Sequence, residues 1–128
     1  MKKIILAVMI LAFSAIGCAT IDTLQPGTGE KFTIQGKSYD EIWNAAIKTA
    51  KISLTIVSSN KGHGSIRAEK GAGLATWGEV VGIFITPATN GASTYIVEVQ
   101  SQKRLKGQIT GQDWTETMTA GIKAELGM

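Results

Sequence analysis

The chain has one cysteine, Cys18, and one histidine, His63, and these two residues bound the chemistry it can carry. Metal binding needs several His, Cys, Asp or Glu side chains converging on one ion. With a single thiol and a single imidazole, no such set is expected. Nucleophilic catalysis needs a nucleophile beside a base that a third group orients. Ser65 stands two residues from His63, but Asn60-Lys61-Gly62-His63-Gly64 reads as a turn, where the two side chains diverge into solvent. Asp40-Glu41 and the pair Asp113 and Glu116 fall where helix starts are expected, and they are read as capping groups rather than as an acid and a base across a cleft. Gly71-Ala72-Gly73 lacks the lysine, the hydroxyl residue and the following helix of a phosphate loop. No catalytic residue, metal or cofactor is assigned, and the chain is read as not an enzyme.

Two features are left as candidate binding groups. Trp77 lies in the glycine-punctuated stretch from Lys70 to Gly78, which has neither a helical nor a strand period. An aromatic side chain on such a connection can anchor a partner, or it can fold back on the core. Lys103, Arg104 and Lys106 form a dense basic cluster, read either as a solvated loop or as a contact for anionic headgroups or an acidic partner. Nucleic-acid binding needs a concentrated cationic face, and the formal charge of +3 includes Lys2 and Lys3. Nucleic acid is not an expected partner.

Lys2 and Lys3 open a short positive segment, and residues 4–13 form an uncharged apolar run of the length found in secretory signals. A spanning helix would need about 20 apolar residues. This run meets Ser14 and Gly17 early, and the chain is polar from Thr20 and Asp22, so an export signal over residues 1–17 is expected. Its removal leaves 111 of the 128 residues, and takes two of the 13 basic side chains against none of the 10 acidic ones. A chain of that length suits one small domain, burying roughly 60 to 70 percent of its unfolded surface without a disulfide.

Ala15-Ile16-Gly17-Cys18 resembles the lipobox of bacterial lipoproteins, in which small and apolar residues precede a cysteine that receives diacylglycerol. The resemblance implies lipid attachment at Cys18 and anchoring to a membrane of the bacterial envelope. Two or three acyl chains on the mature cysteine hold a protein durably, where one chain holds it only marginally. Ala19 follows the cysteine, and similarity to enterobacterial lipoproteins implies the outer membrane, facing the periplasm. The rival reading is an ordinary small-x-small cleavage site that releases a soluble protein with a free thiol. A lone thiol in an oxidising compartment would react or pair between chains, a liability that a thioether removes.

The elements that would carry these groups follow from periodicity and turn chemistry. Residues 18–30 are rich in Thr, Gly and polar residues and read as the lipidated cysteine and a flexible tether of roughly 20 Å span. Residues 31–128 read as a single domain. Phe32 to Gln35 alternates as a strand. Ser38-Tyr39-Asp40-Glu41 is a capping box, followed by a stripe of Tyr39, Ile42, Trp43, Ala46, Ile47 and Ala50 on one helix. Leu54 to Val57 and Ser65 to Glu69 form a hairpin, and Glu79 to Thr86 pairs with Ser93 to Gln100 in another. Trp114, Met118, Ile122 and Leu126 mark a second helix, in which Gly121 costs about 1 kcal/mol of propensity relative to alanine but permits close packing. The fold class expected is α+β: a two-layer domain with an antiparallel sheet of about five strands covered on one face by two helices.

Ser38 to Ala46, with the apolar strand and Gly-rich hairpin that follow, is similar to the opening of helix-grip domains in small envelope lipoproteins, among them the BamC-type accessory lipoproteins of the outer-membrane barrel assembly machinery. The resemblance implies a helix-grip-like fold and no functional residue. The function expected is a membrane-anchored, non-catalytic envelope lipoprotein that binds another protein as an accessory module. The alternative is a lipoprotein that binds a small ligand or lipid in a cavity floored by Ile83, Ile85 and Val97 and gated by residues 70–78.

Overall fold

The computed structural model describes residues 19–72, 78–88, 93–105, 107–108 and 110–128. Cys18, Trp77 and Lys106, and with them the lipobox, lie outside the described residues. The domain is α+β, with strand β1 (Glu30–Gln35), helix α1 (Tyr39–Ser53), strands β2 (Thr55–Asn60), β3 (Ser65–Lys70), β4 (Glu79–Pro87) and β5 (Thr94–Lys103), and helix α2 (Thr115–Glu125). The five strands form one open antiparallel sheet in the order β1-β5-β4-β3-β2. Two hairpins meet side by side through β3 and β4, and β1 joins the far edge beside β5.

Helix α1 begins as its sequence dictates. Ser38 Oγ accepts from the Glu41 amide at 3.1 Å while a Glu41 carboxylate oxygen accepts from the Ser38 amide at 2.7 Å. Two backbone amides that have no partner within the helix are thereby satisfied. The Ser38 amide and hydroxyl hold the Glu41 carboxyl below the usual carboxylate range. Ile42, Trp43, Ala46 and Ala50 are buried, and Tyr39 and Ile47 pack partly against them. Just ahead of α2, Asp113 Oδ1 accepts from the Thr115 amide at 2.9 Å. The stripe of Trp114, Met118, Ile122 and Leu126 enters the same core. A Cβ on Gly121 would lie 2.4 Å from Thr49 Cγ2, so the missing side chain is what lets α2 approach α1.

Both helices cover the sheet face that carries Ile34, Ile66, Ala68, Val81, Ile83, Ile85, Val97 and Val99. The opposite face is not bare. Ala19, Leu24, Val80 and Phe84 form a second apolar cluster there, with Leu24 wholly buried. Residues expected to form a flexible tether instead lie along the sheet, with Ile21–Thr23 as a 3-10 turn. Composition misleads at this point because Leu24 is the segment's one large buried side chain and the sheet supplies most of the remaining contacts through the polar side chains of β3 and β5. Gly82, in the middle of β4, makes room: a Cβ there would come 2.9 Å from the Phe84 ring and 3.4 Å from Leu24 Cβ.

Candidate functional site

One end of the sheet, formed by the start of β1, the end of β3, the start of β4 and the end of β5, gathers most of the charged groups that sequence reading singled out. Lys103 was expected in a loop, but β5 runs three residues past Gln100 and Lys103 ends it, opposite Glu79. Its Nζ donates to the Gln108 carbonyl at 3.4 Å. Arg104 follows, with its amide donating to the Gly78 carbonyl at 3.0 Å and its guanidinium paired with the Glu69 carboxylate. The basic cluster is therefore part strand and part ion pair rather than a solvated loop, and half of its described charge is already matched.

Glu79 sits beside this pair on the helix-facing side and is almost fully buried. One carboxylate oxygen accepts from the Gln112 amide at 2.6 Å, which ties the chain ahead of α2 to the first residue of β4. Ser101 Oγ accepts from the Trp114 amide at 3.0 Å, so β5 also fixes the start of α2.

A groove of about 470 Å³ runs along α2 beside β1, lined by Glu30, Asp113, Thr115, Glu116, Thr119, Ala120 and Lys123. It continues as a recess of about 240 Å³ beneath Thr28 and Gly29, against Gln100, Ser101 and Gln102. Here β1 pairs with β5 only as far as Val99, so Gln100 to Lys103 has a strand neighbour, β4, on one side alone. Lys123 Nζ lies 5.1 Å from the Phe32 ring centroid, close enough for a cation–π contact. Three carboxylates line the groove, but among the described residues no three His, Cys, Asp or Glu side chains converge as metal ligands do. The sequence makes Asp113 and Glu116 capping groups, but the N-cap of α2 is Trp114 and no side chain caps it: Asp113 accepts from the Thr115 amide alone, and the sequence gives no sign of the groove. Glu30 and Glu116 become neighbours only when β1 and α2 pack, and no spacing signal joins residues so far apart.

On the outer face, four side chains of β3 and β5 hold residues 19–29, three of them by the backbone. Arg67 Nη2 donates to the Leu24 carbonyl at 3.2 Å, and its guanidinium lies 5.5 Å from the Phe84 ring centroid. Gln100 Nε2 donates to the Gln25 carbonyl and, at 3.0 Å, to Thr28 Oγ1. Gln102 Oε1 accepts from the Thr23 hydroxyl at 2.9 Å. Glu98 accepts from the Gly27 and Gly29 amides at 2.7 Å each. Burial pushes the Glu98 carboxyl up, and the Gly29 and Gly27 amides together with Gln100 more than offset it, leaving its pKa below the ordinary value. At the segment's beginning, the Ala19 amide donates to the Arg104 carbonyl at 2.7 Å. Gly29 must be glycine for this fit, since a Cβ would lie 2.5 Å from the Val99 carbonyl oxygen.

His63 and Ser65 are at the opposite end of the sheet, in and after the turn joining β2 and β3. His63 Nδ1 is 3.2 Å from Asn60 Nδ2, and Ser65 Oγ accepts from Arg67 Nη1 at 3.5 Å. The structure gives each a local partner and does not join them. Ile83, Ile85 and Val97, the expected cavity floor, are at most 2% exposed and belong to the core beneath the helices. Among the described residues no helix is long and apolar enough to cross a membrane.

No family model matches the chain, and no curated protein matches it. Among solved structures it is similar to the adenylate sensor from AMP-activated protein kinase, crystallised in complex with 5-aminoimidazole-4-carboxamide ribofuranotide. The identity is 10%, the match covers 77% of this chain and 97% of that one, and the TM-score is 0.43. A likeness at that level carries no argument about function.

Proposed function

We propose that this protein is a lipid-anchored lipoprotein of the bacterial envelope, held through Cys18, whose domain is non-catalytic and binds another protein at the groove between β1 and α2. The observation that carries the anchoring half is Cys18 itself, a lone cysteine that closes an export signal one residue ahead of a packed domain. The similarity of residues 15–18 to the lipobox supports covalent attachment there. The outer membrane, facing the periplasm, is the location that Ala19 favours.

The binding half rests on the groove. Ser101 to Lys103 offers strand backbone with a strand neighbour on one side, and an unpaired strand edge is a template for another chain. Glu30, Asp113 and Glu116 beside it favour an extended segment that brings a lysine or arginine. His63 and Ser65, each held by a turn or strand neighbour, do not supply the nucleophile and base that an acyl-transfer site would need.

The test has two arms. Cys18→Ser should move the full chain from the membrane fraction to the soluble fraction while leaving its thermal unfolding unchanged; continued sedimentation with membranes would contradict anchoring. A photocrosslinker at Thr119 should capture a discrete protein in intact cells, and Asp113→Lys with Glu116→Lys should abolish that capture. Undiminished capture by the reversed-charge variant would contradict the groove as the binding site.

A further inference from the structure

We infer that residues 19–29 are a strap that seats the domain directly on a phospholipid surface, with the Glu79 and Lys103 end of the sheet against the headgroups. The inference rests on the anchoring reading and deepens it by naming the face that meets the bilayer. A free coil of 11 residues would let the domain wander by roughly 18 Å. That slack does not exist here, because the segment is used up along the sheet by Arg67, Glu98, Gln100 and Gln102 and by the burial of Leu24.

The geometry at Ala19 fixes the direction. Its amide is bonded to the Arg104 carbonyl, and the residue is 6% exposed. Consecutive Cα atoms lie about 3.8 Å apart, so acyl chains on the preceding residue must leave the domain beside Arg104. At about 3.3 Å per residue, the register of β3, with Lys70 opposite Glu79 and Ser65 opposite Phe84, puts the turn at His63 roughly 20 Å from that end along the strand direction.

Charge does not supply this orientation. Lys70 and Lys103 face that end, Arg104 is matched by Glu69, and Glu30, Asp113 and Glu116 line the neighbouring groove. With Glu79 counted, acidic groups outnumber basic ones among the described residues there, so the covalent attachment and the docked strap, not charge, impose the contact. It should not strengthen as the proportion of anionic lipid rises.

The test uses the full chain expressed in bacterial cells, with a photoreactive benzophenone amino acid at Lys70 or at His63, both exposed. Membranes are irradiated and phospholipid adducts on the protein are counted by mass. Lys70 is expected to give several-fold more adduct than His63, and adding Leu24→Asp and Glu98→Ala to free the strap is expected to erase the difference. Equal labelling at the two positions in membrane-bound protein that carries its Cys18 lipid would overturn the seating while leaving the anchor intact. An unmodified Cys18 thiol would overturn the anchor, and the seating with it. The comparison of the two positions in the native sequence decides the matter even if the strap-free variant folds poorly.

Discussion

Replacing Leu24 with alanine separates a strap from a tether. In a tether the side chain is in water and its truncation costs nothing. Leu24 is instead 0% exposed and packs with Val80 and Phe84 across the bare face of Gly82. Truncation removes three buried carbons at about 0.8 kcal/mol each, and the usual range for such a change with a residual cavity is about 2 to 5 kcal/mol. The lower part of that range applies here, because the segment ends the described chain and can lift off, which caps the loss at the free energy of docking. Hydrogen exchange of the Gly27 and Gly29 amides, both donors to Glu98, reports that docking. A loss of about 2 to 3 kcal/mol predicts exchange roughly 30- to 140-fold faster in Leu24→Ala. Native Gly27 and Gly29 amides that exchange as fast as those of an unfolded peptide, or rates unmoved by the substitution, would mean that the segment is not docked through Leu24.

The same contact responds to acid. The Glu98 pKa is lowered in the folded protein from its ordinary 4.5, so its contribution is fully present above that value and is lost as pH falls below it through the folded-state value. Protection of Gly27 and Gly29 should decline in that window, and Glu98→Gln should flatten the decline; a native profile level down to pH 2 would count against the clamp. Gly121→Ala gains about 1 kcal/mol of helix propensity but drives a Cβ into buried Thr49, and overpacking costs typically 1 to 3 kcal/mol. A net loss in urea unfolding is expected, with recovery when Thr49→Ala is added, whereas a stabilised single variant would mean that the helices are not in close contact there. Ser38→Ala should cost about 1 kcal/mol, read from the urea midpoint, and an unchanged midpoint would deny the capping box a role.

The helix-facing half of the molecule was legible in the sequence because each element announces its own buried face. The period from Tyr39 to Ala50 and the four-residue recurrence from Trp114 to Leu126 need no knowledge of neighbours, and both stripes meet in one core. The Ser38 to Glu41 box is local in the same sense. The outer face was not legible, since its meaning depends on what lies over it. Glu98 and Gln100 alternate with Val97 and Val99 as solvent-facing residues of a two-layer sheet should, yet both are buried by residues some 70 positions earlier in the chain. Arg67 likewise reads as a solvated strand residue until the Leu24 carbonyl is placed beside it. Gly29 reads as linker, and only the close approach of Val99 shows why a side chain is excluded. Alternation ends β5 at Gln100 because Ser101 and Gln102 interrupt the apolar pattern, whereas the strand continues to Lys103, held by β4 and by the start of α2.

Everything proposed for this protein depends on a covalent lipid at Cys18, directly adjoining a folded domain. Intact-mass and peptide analysis of the protein recovered from bacterial membranes decides the matter. A mature terminus at Cys18 carrying a diacylglycerol thioether is expected; a free sulfur at that terminus, or a chain still beginning at Met1, would rule the anchor out.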